Sequence, residues 1–352
     1  MELGEADALA LWQRFRDLSI VKYKEMYARL NISFDVYCGE SQYSLDQMQE
    51  VLEELQAKDL LVPENGALMV DLREYGIGTA VIGKTDGTML YLSRDIAAAR
   101  DRQKEFDFDS MYYIVAMQQD HHFKQLFKIL ELQGKTWAQK CHYIGFGMIE
   151  GMSTRKGTVV FLKDILDQTQ EEMHSVMKKN EKKYAQIEDP VQVSDVVGMS
   201  SIMIQDMAAR RVKDYTFDWS RMLSFEGDTG PYLQYAHARL CSIERGCPLK
   251  LDAETLNQVN FELLKEPQAD SLMDWIAVFP SIVVDAAKNK EPVSVVKYCL
   301  RLSQRVSTAV SELYVLHQAP DIALARLAMY TAARITLGNA LKLLGLNPLQ
   351  RM

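Results

Sequence analysis

Two short apolar runs on either side of a helical stretch restrict the fold of this chain more than any other feature. Met111–Met117 reads Met-Tyr-Tyr-Ile-Val-Ala-Met, a continuous apolar run of the buried parallel-strand type. A helical pattern from about His121 to Gln133 follows and is stopped by Gly134; a second run, His142–Gly147, comes after it. Strand, helix and strand at this spacing make a βαβ unit, with a right-handed crossover and parallel strands. In open α/β sheets ligands bind beyond the carboxyl ends of the strands. The first strand delivers Gln118-Gln119-Asp120 to that edge, and the second delivers Met148–Gly157.

The second of those segments contains Gly151-Met152-Ser153-Thr154-Arg155-Lys156-Gly157. Glycines let backbone N–H groups approach a ligand closely, a hydroxyl pair adds donors, and two adjacent cations supply charge. Such a loop suits a polyanion such as a nucleotide triphosphate. The bland alternative is an ordinary basic surface loop.

Before this loop, short strands alternate with helices. An N-terminal helix places Leu11, Phe15 and Leu18 on one face. Ser44, with Gln47 three residues on, is a capping box for a helix that should bury Leu45, Met48, Leu52 and Leu55. Strands are expected at Ala67–Leu72, Thr79–Ile82 and Met89–Leu92, with Asp86-Gly87 turning between the last two. Ser93 then caps a helix from Arg94 to about Glu105, so that Tyr91 and Asp95 flank one junction. After the loop nearly everything reads as helix. A helix from about Val160 to Lys179 ends in the charged run Lys178–Lys183, and Asp189-Pro190 breaks the chain. Ser194 opens a helix reaching about Arg211, and further helices lie near 231–244, 267–279, 292–316 and 320–344, the last stopped by Gly345.

Composition narrows the function classes. With 352 residues, 48% apolar and 25% charged, the chain reads as a soluble globular protein of roughly two or three domains. A formal charge of −8 argues against a blanket nucleic-acid coat but leaves room for local basic patches such as Arg210-Arg211-Val212-Lys213. The five cysteines are odd in number and form no C-x-x-C pair, which favours free thiols in a reducing compartment. The longest uncharged apolar run, Trp275–Val284, is too short to span a bilayer and contains Pro280. His121-His122 has no third ligand at suitable spacing, so no bound structural metal is expected.

The most specific stretch is Phe225-Glu226-Gly227-Asp228-Thr229-Gly230-Pro231-Tyr232-Leu233-Gln234-Tyr235-Ala236-His237-Ala238-Arg239, a tight turn followed by a helix that brings Tyr232, Tyr235 and Arg239 near one face. It strongly resembles the junction into the anticodon-binding domain of arginyl-tRNA synthetases, which are class I synthetases. Leu11–Ser19, Phe34–Ser41, Tyr91–Asp95, Gln118–Asp120, Gly151–Gly157 and Leu343–Met352 look like successive segments of the same family, in family order over essentially the whole chain. The resemblance implies a partial Rossmann-like α/β catalytic domain with an insertion, followed by an all-α anticodon-binding bundle. The implied divisions are 1–107 for insertion helices and arginine-reading strands, 108–224 for the second half of the nucleotide-binding domain, and 225–352 for the anticodon-binding helices. The implied reaction is ATP-dependent adenylation of arginine, with Mg2+ carried by the ATP, then transfer to tRNA(Arg). Glu40, Tyr91, Asp95 and Gln119 match the positions that hold arginine, whose guanidinium is best met by carboxylates. Tyr232, Tyr235 and Arg239 fall where tRNA contacts are expected. A cytoplasmic monomer with no membrane partner is the family expectation, with a mitochondrial form left open.

The sequence also departs from the family pattern. Met152-Ser153-Thr154-Arg155 stands where class I synthetases carry Lys-Met-Ser-Lys-Ser, and Gly151 and Thr154 replace both lysines. Arg155 and Lys156 are then the cations for the triphosphate and its leaving pyrophosphate. The other class I signature, His-x-Gly-His, is absent: His121, His122, His142, His174, His237 and His317 are all the histidines. The chain is therefore expected to begin inside the connecting insertion, and not to form arginyl-adenylate alone. A non-catalytic tRNA-binding module is the alternative.

Overall fold

The computed structural model describes residues 5–39, 42–86, 88–150, 161–216, 224 and 227–352. They form two compact units, Met1–Lys22 with Phe34–Met148, and Tyr23–Ser33 with Ile149–Met352.

The chain enters through α1 (Ala6–Arg29), in which no residue is buried. Leu11, Phe15 and Leu18, expected to pack, are more than half exposed at 53, 60 and 57%. Polar contacts hold this helix instead. In the first unit Arg16 donates to the Tyr37 carbonyl at 2.8 Å, and in the second Arg29 bridges Asp167 and Asp195 at 2.6 and 2.7 Å.

In the first unit, α2 (Leu45–Ala57) opens with the full capping box of Ser44 and Gln47 and buries Met48, Val51, Leu52 and Leu55. Leu45 stays exposed, because Val51 supplies the apolar face in its place. Strands β1 (Leu61–Glu64), β2 (Ala67–Asp71) and β3 (Thr79–Lys84) form an antiparallel meander in that order. The β1–β2 turn is Asn65-Gly66, both with positive φ, the two-residue geometry whose twist matches that of the flanking strands. The expected strand Met89–Leu92 is reduced to one antiparallel bridge, Gly83 to Met89.

Helix α3 (Tyr91–Phe106) begins at Tyr91, with Leu90 as its N-cap rather than Ser93. Leu92, Ile96 and Ala99 recur at helical spacing and are all buried, so burial pulls the helix start forward. Ser93 sits inside it, its hydroxyl donating back to the Leu90 carbonyl at 2.7 Å. The βαβ unit then forms as the spacing predicts. Strand β4 (Met111–Ala116) leads through a 3-10 turn into α4 (Asp120–Leu132), and β5 (Cys141–Phe146) pairs parallel to β4. Gly145 leaves room there for the Met117 side chain, whose sulfur would lie 2.3 Å from an added Cβ and would have to move aside. One face of the β4–β5 pair joins the core of α2, α3 and α4; on the other, Tyr112, Ile114 and Phe146 remain exposed.

The second unit is helical apart from the short parallel pair β6 (Ile149–Glu150) and β7 (Tyr215–Thr216). It comprises α5 (Leu162–Lys178), a single turn α6 (Glu181–Tyr184), α7 (Pro190–Met207), α8 (Gly230–Gly246), a turn α9 (Ala253–Leu256), α10 (Pro267–Asn289), α11 (Val293–Glu312) and α12 (Pro320–Leu343). Helix α7 starts four residues before the expected Ser194. Asp189 accepts from the Gln192 amide, and Pro190 fits the first turn, where its missing N–H costs nothing. Helix α10 runs through Pro280, where a stop was expected. Pro280 lies on an exposed position, so water can satisfy the carbonyl that loses its partner.

Helices α5, α7 and α8 approach closely because the contacts are made of small residues. Thr169, Ser200 and Ser201 are buried, and each hydroxyl donates to the carbonyl one turn back. Gly230, the first residue of α8, lies against the Ser200 backbone, where an added Cβ would meet the carbonyl at 2.3 Å. Neither backbone can yield cheaply. Gly230→Ala is therefore expected to destabilise the helical unit by about 2–3 kcal/mol, the cost of overpacking. Thermal or urea unfolding checks this, and an unchanged midpoint would contradict the close packing.

Candidate functional site

In the first unit, two elements carry three expected ligand residues: Tyr91 and Asp95 stand on α3, and Gln119 follows β4. Tyr91 and Asp95 are one turn apart on α3 and so share a face. Tyr91 is 70% exposed. Gln119 ends the 3-10 turn after β4 and is the exposed N-cap position of α4, which places it at the carboxyl edge of the strand. Glu40 and the loop Gly151–Gly157, with Met152, Ser153, Thr154, Arg155 and Lys156, lie outside the described residues.

A residue with no expected ligand role joins this group. His122, one turn beyond Gln119 on α4, donates through Nε2 to Asp95 Oδ2 at 2.6 Å. Its ring also packs edge-on against Phe123, a core residue. The contact ties α3 to α4 and fixes the Asp95 carboxylate. Asp95 Oδ1 has no partner among the described residues, so one carboxylate oxygen is available to an incoming cation. In the sequence His122 raised only a metal question. The signal available there was its distance of three residues from Gln119, which puts both on one face of a helix.

The second candidate site lies wholly within the helical unit. Tyr235 and Arg239, one turn apart on α8, open into a pocket of about 630 Å3 with Gln186, Ile187, Arg351 and Met352. Arg245 also lines it, so three arginines face this space without a carboxylate side chain among the described lining residues. Tyr232 is not part of it. That ring packs against the helical core, and its hydroxyl lies 3.5 Å from Ser307 Oγ.

One wall of this pocket, Arg351 and Met352, belongs to a tail with no regular secondary structure, and α8 holds the tail in place. Gln234 is fully buried; its amide nitrogen donates to Ser200 Oγ and to the Asn347 carbonyl, both at 2.9 Å, while its oxygen accepts from the Leu349 amide at 2.9 Å. His237 Nδ1 donates to the Leu349 carbonyl at 2.8 Å, and Arg245 donates to the Gln350 carbonyl at 2.8 Å. Three side chains of one helix face thus position Arg351 and Met352.

Burial is the largest influence on His237 and pushes its pKa below the usual histidine value. The Leu349 carbonyl and Glu244 oppose the shift; Arg334 and Lys342 reinforce it. The folded state therefore binds a proton at His237 less readily than the unfolded chain does. Its contribution to stability is intact above the unfolded value of about 6.5 and is lost as pH falls below it. The unfolding midpoint of the helical unit should drop through this acid window, and His237→Gln should flatten that slope. Identical slopes in the two proteins would show that His237 is not held neutral by burial.

Residues 1–219 match the family model for the catalytic domain of class I tRNA synthetases of the arginine type, and residues 233–352 match that for the DALR anticodon binding domain. The chain is 50% identical over 354 residues to the cytoplasmic arginine–tRNA ligase of Saccharomyces cerevisiae, covering all of this chain and 58% of that protein. It is 43% identical to the mitochondrial arginine–tRNA ligase of the same yeast, again over its full length and 55% of the relative. The chain thus spans somewhat over half the length of these relatives. In fold it is similar to the arginyl-tRNA synthetase of Plasmodium falciparum, with a TM-score of 0.85 and 22% identity over 99% of this chain and 60% of that one. No helix among the described residues is long and apolar enough to cross a membrane.

Proposed function

The chain belongs to the arginyl family of class I tRNA synthetases, and from that premise we propose that it serves arginine–tRNA ligation: adenylation of arginine by ATP, then transfer to tRNA(Arg). The observation that carries this reading is the Asp95 carboxylate, fixed by His122 through one oxygen and open at the other, one turn from Tyr91. A guanidinium is a planar fork of donors, and a carboxylate whose rotamer is already fixed receives it at lower entropic cost. Gln119 stands near the amino-acid end of the substrate in this reading, and Glu40 adds a second carboxylate. Arg155 and Lys156 neutralise the triphosphate, which arrives with Mg2+, and stabilise charge on the departing pyrophosphate. The working divisions are 1–107, 108–224 and 225–352, in a monomer that acts in the cytoplasm.

The helical unit takes the tRNA. Tyr235 offers an aromatic face on which an unstacked base can lie, and Arg239 and Arg351 supply cations beside it. A second reading, a tRNA-binding module without catalysis, is favoured by the same pocket, because it is complete within the helical unit.

Two measurements separate these readings. A tRNA(Arg) transcript should bind the 352-residue chain, and Tyr235→Ala should weaken binding by about 1–3 kcal/mol, the worth of one stacked base. Tyr232→Phe, inside the core, should leave affinity unchanged; equal losses in both variants would remove the pocket from the interface. Arginine-dependent ATP–pyrophosphate exchange, assayed with tRNA present, should be absent from this chain, which carries no His-x-Gly-His. Exchange activity would overturn that expectation and establish catalysis within these residues.

A further inference from the structure

A second cavity borders the same tail as the Tyr235 pocket. It encloses about 550 Å3 between α8, α12 and the tail, and Arg245 lines both spaces. Among the described residues its other polar walls are His237, Glu244, Arg334, Asn339, Lys342 and Gln350. Among the described lining residues three cations thus face a single carboxylate, in a chain whose overall charge is −8. Such a local reversal of sign marks a place for an anion.

The cations are also incompletely used. Arg334 spends its Nε on Glu244 Oε1 at 2.6 Å, leaving both terminal nitrogens without a partner among the described residues. Lys342, exposed in the last turn of α12, has no ion pair or hydrogen bond among them. Asn339 adds an amide, and Arg245 is already fixed by the Gln350 carbonyl. These are donors set around a space, suited to the several oxygens of one tetrahedral anion.

We infer that this cavity is a phosphodiester subsite, which holds the backbone of the same RNA strand whose base enters the Tyr235 pocket. The strand runs along the tail from one space to the other, with Arg245 reaching both. The inference rests on the tRNA reading above and adds a separate part of the surface to it. Lys342 and Arg334 act on the backbone and carry no base preference.

Salt dependence distinguishes a phosphate contact from a base contact. Each neutralised phosphate on a single strand adds about 0.7 to the slope of log affinity against log salt. Binding of a tRNA(Arg) transcript to the full chain is measured by anisotropy between about 50 and 200 mM salt, the range over which such contacts are lost. Lys342→Gln is expected to weaken binding several-fold and to lower the slope by about 0.7. Lys342 is exposed and the variant retains the helix, which far-ultraviolet circular dichroism verifies. Tyr235→Ala should weaken binding with the slope unchanged. Lys288→Gln, on α10 and outside the cavity, should alter neither quantity. Binding by Lys342→Gln with the parent slope overturns the subsite, and so does an equal slope change in Lys288→Gln. Failure of the unsubstituted chain to bind the transcript at all overturns the tRNA reading and the subsite together.

Discussion

The primary amide of Gln234 joins three distant pieces of this chain. It reaches the Ser200 hydroxyl on α7, the Asn347 carbonyl and the Leu349 amide, and no part of it is exposed. A buried amide with its donors and acceptor satisfied is stable, whereas one left half-satisfied costs more than an apolar side chain would. The arrangement depends on α8 lying close to α7, which the absent side chain of Gly230 permits. Packing at the helix start and polar contacts one turn later therefore act on the same register. The tail is held in one place, and two pockets share it as a wall.

The first unit uses a different device for the same end. There the antiparallel meander and three helices enclose one apolar core, and the residues that meet a ligand stand on helix starts at its margin. Helix α4 begins at the end of β4, so Gln119 and His122 are placed by the strand. Helix α3 is placed by the burial of Leu92, Ile96 and Ala99, so Tyr91 and Asp95 are placed by the core. The bond between His122 and Asp95 connects these two lines of placement at one carboxylate.

Much of this was legible in the residues. The parallel strands, their connecting helix and the Gly134 stop follow from apolar runs and one left-handed position. The capping box at Ser44 and the stop at Gly345 are equally local. The errors have local causes too. Ser93 has the chemistry of a cap, but its hydroxyl bonds backward, because the apolar period begins two residues earlier. Asn65-Gly66 is the strongest turn signal in that region and marks strand β1, whose Pro63 and Glu64 give it little strand character of its own. Pro280 reads as a helix end, yet a proline on a solvated face is tolerated. The contacts of Gln234 could not be read at all, since they span 34 residues to Ser200 and more than 110 to the tail, and depend on tertiary packing. Of the three residues on α8, periodicity groups Tyr232 with Tyr235 and Arg239; only the packing of α11 against α8 turns Tyr232 inward.

The tail also sets a timetable. Its partners on α8 lie 105 to 115 positions earlier in the chain, so these bonds close large loops that form late in folding. During synthesis α7, α8 and much of the bundle emerge and pack first, as domains fold from the N-terminal side. Gln234 then has Ser200 but lacks its Asn347 and Leu349 partners until residues 347 to 349 leave the ribosome. A nascent chain stalled before that point holds neither Arg351 nor Met352 against Tyr235, and lacks one wall of each of its two basic pockets. Whatever the pockets bind, they become competent only when translation has run through the last turn of α12 and beyond. Ligand capture by this unit is thereby coupled to synthesis of residues 347–352, more than a hundred positions after the helix that holds them.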